Sequence, residues 1–84
     1  VDLFSGEGKF GEILVLSYST NTPKEEIEST LRQIMEKKGF ASAMIYCTEA
    51  AYKANSSESF SKSHPNALEN GYLGQVTEKG KFLE

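Results

Sequence analysis

The stretch from Thr22 to Gly39 leaves this chain little choice of local structure. Thr22-Pro23-Lys24-Glu25 matches the capping-box pattern: a threonine hydroxyl accepts from the backbone N–H three residues on, and the glutamate there reaches back. Pro23 falls at the first helical position, where its missing N–H costs nothing. Glu25, Glu26 and Glu28 lie at the positive end of the helix dipole and Lys37 and Lys38 at the negative end. Gly39 then supplies a left-handed cap. Ile27, Leu31, Ile34 and Met35 recur at helical spacing, while Glu28, Arg32 and Glu36 turn to water. The spacing predicts one amphipathic helix over residues 22–38 with Thr22 as its N-cap.

Such a helix must bury its stripe against something, and the flanking segments supply it. Residues 11–18, centred on Ile13-Leu14-Val15-Leu16, read as a strand with faces Ile13/Val15/Ser17 and Leu14/Leu16/Tyr18. Both faces are largely apolar, so this strand is central and covered on both sides. Residues 40–48 (FASAMIYCT) read as a second, with faces Ala43/Ile45/Cys47 and Met44/Tyr46. Strand, helix and strand with short joints form a βαβ unit, and its strands are expected to be parallel neighbours. Further on, Thr48 can cap a short helix over residues 49–54, and His64 to Asn70 give one more helical turn opened by Pro65 and closed by Gly71. Residues 72–77 and 81–83 read as a hairpin around Glu78-Lys79-Gly80.

With 84 residues the chain is one domain, residues 1–84. The expected fold class is α+β: a βαβ unit with a capped amphipathic helix plus a C-terminal β-hairpin, in a mixed three- to four-stranded sheet. Residues 1–8 (VDLFSGEG), with two glycines in their last three positions, read as a loose lead-in from which Leu3 and Phe4 can still dock. Residues 55–63 read as a mobile loop, because five serines there surround Phe60 alone. Only one amphipathic helix is available to cover a sheet apolar on both faces, so a homo-oligomer or a neighbouring domain is the expected partner at the second face.

Composition narrows the function classes. A net charge of −3 offers no footprint for a phosphate backbone, so no nucleic acid is expected as partner. The longest apolar runs fall far short of a membrane span. One Cys excludes an internal disulfide and a Cys-based zinc site within one chain, and neither metal nor organic cofactor is expected. Leu, Ile, Val and Phe make up about 23% of the chain, just above the range of chains that fail to order. The core is therefore small. Since the chain opens on Val1 without an initiator Met, an exported or extracytoplasmic protein is expected. Leu83-Glu84 matches a dipeptide often left at a cloning junction and is assigned no function.

Parallel strands place a ligand beyond their carboxyl ends, beside the helix N-termini. Here that edge holds Ser17, Ser19 and Asn21 after the first strand and Cys47 and Thr48 after the second, and these are the ligand-binding candidates. Their simpler account is local, since Ser, Thr and Asn are what caps and turns require. Cys47 and His64, the sole residues of their types, raise a nucleophile hypothesis, with the loop carrying His64 towards the thiol. The plainer account makes Cys47 a core hydrophobe and His64 a turn residue. Tyr18, Tyr46, Tyr52 and Tyr72 fall near element ends, where they can line a recognition groove or roof the core. Asn55-Ser56-Ser57 matches a glycosylation sequon that chance explains. The leading expectation is a non-catalytic binding or interaction module, ahead of a small enzyme using Cys47 or a purely structural accessory domain.

Overall fold

The computed structural model describes the backbone of residues 2–7 and the whole of residues 9–83. Five strands form one mixed sheet whose spatial order is the order of the sequence: β1 (Asp2–Glu7), β2 (Phe10–Val15), β3 (Ser42–Tyr46), β4 (Tyr72–Val76) and a two-residue β5 (Phe82–Leu83). β2 and β3 are parallel, with Ile13 opposite Ile45, and the other pairs are antiparallel. The expected α+β fold is therefore present: the βαβ unit, the amphipathic helix and the closing hairpin.

Helix α1 (Lys24–Lys38) joins the parallel strands and ends at Gly39, whose φ of 76° lets its N–H reach the Met35 carbonyl. It lays Ile27, Leu31 and Met35 on one sheet face, against Ile13, Val15, Ala43, Ile45, Cys47, Leu73 and Val76. The opposite face is covered by α2 (Glu49–Ser56) and α4 (Ala67–Gly71), with α3 (Glu58–Ser63) between them in sequence. There Leu14 and Tyr46 are fully buried together with Ala51. The expected partner interface rested on a shortfall of cover for this face, and α2 and α4 supply that cover. Among the described residues no helix is long and apolar enough to cross a membrane.

A bulge sets up the second face. β3 and β4 pair Ile45 with Gly74 but Tyr46 with Tyr72, so Leu73 is the extra residue. Skipping it lets Leu73 and Val76 both join the α1 face, while Tyr72 comes to lie beside Tyr46. Gly74 accommodates the bend with φ of 154°, and a Cβ there would meet the Leu83 carbonyl at 2.8 Å.

Several expectations are corrected. Residues 2–7 are not a loose lead-in but strand β1, because β2 offers a complete antiparallel partner from Val15 to Phe10; the docking of the Leu3 and Phe4 side chains lies outside the described residues, as do Val1, Gly8 and Glu84. The first strand stops at Val15 rather than residue 18: a turn closes from Tyr18 N–H to the Val15 carbonyl at 3.2 Å, and Leu16 is half exposed. Thr22 is not the cap of α1. Pro23 occupies that position with ψ of 138°, and the Thr22 hydroxyl instead accepts from Ser19 N–H at 2.9 Å. The serine-rich segment is not a loop, since Ser57 caps α3 by accepting from Phe60 N–H. Pro65 precedes its helix: a turn from His64 to Ala67 comes first.

Candidate functional site

At the carboxyl edge of β2 and β3 the expected ligand residues are occupied with local structure. Ser19 Oγ accepts from Asn21 N–H, and the Ser19 carbonyl accepts from Thr22 N–H at 3.1 Å. Ser17, Ser19 and Asn21 are all exposed. Tyr18 hydrogen-bonds through its hydroxyl with Thr30 Oγ1, tying this loop to α1. A small cavity of about 150 Å³ does open here, but Thr20, Thr22, Lys24, Ile27, Tyr72 and Leu73 line it. None of Ser17, Ser19, Asn21, Cys47 and Thr48 is in that lining.

Cys47 and Thr48 act in the fold. Cys47 is buried in the core under α1, its N–H donating to the Gly71 carbonyl at 2.8 Å, and burial pushes its thiol above the usual range. Thr48 caps α2, its hydroxyl accepting from Ala51 N–H at 3.2 Å. His64 closes α3 on the far side of the sheet, stacked on Phe60 at 4.1 Å between ring centroids with Nδ1 3.1 Å from the Phe60 carbonyl. The structure does not bring Cys47 and His64 together. No group of three or more His, Cys, Asp or Glu residues able to hold a metal ion occurs among the described residues.

A more apolar concavity lies on the other face. α4 docks tightly on α2: a Cβ at Gly71 would collide with Thr48 Oγ1 and meet Ala51 Cβ at 2.6 Å, so only glycine lets the two helices approach this closely. That approach leaves a groove of about 300 Å³ lined by Met44 of β3, Tyr72 of β4, Leu68 and Glu69 of α4 and Asn55 in the last turn of α2. Tyr46 underlies it, edge-on to Tyr52 at 6.1 Å and tilted to Tyr72 at 5.9 Å. Three of the four tyrosines thus cluster at one place, with Tyr18 elsewhere.

A polar network braces one end. Asn55 Nδ2 donates to Glu12 Oε1, the Tyr46 hydroxyl donates to Met44 Sδ at 3.3 Å, and the Glu12 carboxylate acts on the Tyr46 phenol from beside it. Burial, then the neighbouring Glu12 carboxylate, holds the Tyr46 phenol well above its usual range, and burial does the same for Tyr72. Both phenols stay protonated at neutral pH. What it offers is apolar contact, aromatic edges and hydrogen-bond acceptors. These properties suit a binding site, whose usual form is an apolar cavity with a few fixed polar groups.

Sequence reasoning missed Glu12, Asn55, Leu68 and Glu69. The period-two pattern does place Glu12, Leu14, Met44 and Tyr46 on one face, which was the available signal; nothing in the local sequence says that α4 folds back over them. No protein-family model matches the chain, and no curated protein or solved structure matches it either.

Proposed function

We propose that this domain is a non-catalytic binding module that receives its ligand in the groove between α2, α4 and the sheet. One observation carries the reading. The groove's floor is Met44 and Tyr72, while the core residues below it, Leu14 and Tyr46, are already fully buried. The opening is therefore not a gap in an unfinished core. Its volume stands at the lower end of the range for small-molecule sites. Cys47, the alternative catalytic centre, is on the opposite face with its thiol held protonated by burial.

The test is a titration of isotope-labelled protein with n-hexanol, a neutral probe, read by amide chemical shifts. Saturable shifts concentrated at Met44, Asn55, Leu68, Glu69 and Tyr72 are expected. Leu68→Trp, which fills the groove from an already half-buried position, should abolish them while leaving the β-sheet spectrum in place. Shifts centred on Thr20, Thr22 and Lys24, or none at all, would remove the groove from consideration.

A further inference from the structure

The donors and acceptors around the groove are not balanced. Asn55 lines one end, and its Nδ2 is committed to the Glu12 carboxylate. A carboxylate only accepts, so the orientation of that amide is fixed: the NH₂ faces Glu12 with one of its two N–H groups committed, and the Asn55 carbonyl oxygen is left open to a ligand donor. Glu69, exposed, is also in the lining. Neither Glu12 nor Glu69 is ion-paired among the described residues, where the salt bridges are Arg32 with Glu28 and Lys62 with Glu58. The rest of the lining is the Tyr72 ring, the Leu68 side chain and the polarizable Met44 thioether.

From this we infer that the groove selects a small primary amine, an ammonium group carried on a short apolar body. The inference rests on the binding reading above and sharpens it. The apolar body covers Met44 and Leu68, while the ammonium donates to the exposed Glu69 carboxylate at the rim. Glu12 adds its charge from behind Asn55. An anion meets two carboxylates with no cation among the lining residues, and a neutral alcohol supplies one donor where an ammonium supplies three. The groove is short and walled by four elements, which suits a free amine better than a polypeptide laid across it.

Three probes of one chain length separate these terms: n-hexylammonium, n-hexanol and hexanoate, titrated at low salt and again at about 0.5 M salt. Hexylammonium is expected to bind at least about tenfold more tightly than hexanoate at low salt, with the gap narrowing as screening increases. Glu69→Gln should reduce the preference for ammonium over hexanol about threefold; a preference that stays the same would overturn the role given to Glu69. If hexanol binds in the groove as well as hexylammonium, the amine assignment is overturned while the binding site stands. If no probe shifts the groove residues, the binding reading itself fails. Tighter binding of a lysine capped at both ends than of hexylammonium would overturn the assignment to a free amine.

Discussion

Thr22 and Thr48 each stand just ahead of a helix, yet only one of them caps it. Thr48 is extended, with φ of −129° and ψ of 147°, and its hydroxyl reaches Ala51 N–H. Thr22 lies one residue too far out, because the extended Pro23 has taken the cap position, and its hydroxyl serves the preceding turn. The capping-box pattern identified a real helix but gave one residue the wrong job. Thr48→Ala should cost about 0.5–2 kcal/mol, the usual loss of a cap, whereas Thr22→Ala at a turn should cost less than about 0.5 kcal/mol; urea titrations that rank them in the opposite order would refute the assignment. Cys47 gives a second test at this scale. A buried thiol held protonated reacts poorly, so alkylation by iodoacetamide at neutral pH should follow global unfolding. Rapid labelling of the native protein would instead reveal an activated thiolate and revive the enzyme reading.

Among the elements, α3 is held by the least. It has no buried residue, its Glu58 to Lys62 ion pair is exposed on both sides, and its other local supports are the Ser57 cap and the stacking of Phe60 on His64. Exposed pairs of this kind contribute little. Amides of α3 should therefore exchange by local opening, far faster than those of β2 and β3, and proteolysis should begin in residues 57–64; protection equal to that of β3 would show a tertiary anchor. The sequence signs of weak order in this segment were physically sound, but serines also cap helices, and that is how Ser57 is used. β1 escaped notice for a different reason. Glycines at its end looked like breakers, yet Gly6 pairs with Gly11 of β2, and a waiting partner strand outweighs weak local propensity.

At the scale of the whole molecule, the two apolar faces of the central strands told correctly that the sheet is covered on both sides, since strand periodicity reports directly on burial. The groove was not legible in the same way. It depends on a bulge that sends Leu73 to the α1 face and Tyr72 to the face of Tyr46, and on the close approach of Gly71 to Thr48, both of which are long-range events. Local patterns cannot encode how far a small helix folds back.

The agreement between strand order and chain order has its own consequence for assembly. Each strand finds its partner in the strand made just before it, so no early strand waits with an open slot for a late one. A chain emerging from its amino end can complete β1, β2, α1 and β3 with one face already sealed. Until α2 and α4 arrive, the opposite face presents Leu14, Met44 and Tyr46 to water. The surface that later carries the groove is thus the one at risk of misassociation during synthesis, and the short segment from Thr48 to Gly71 works first as its shield.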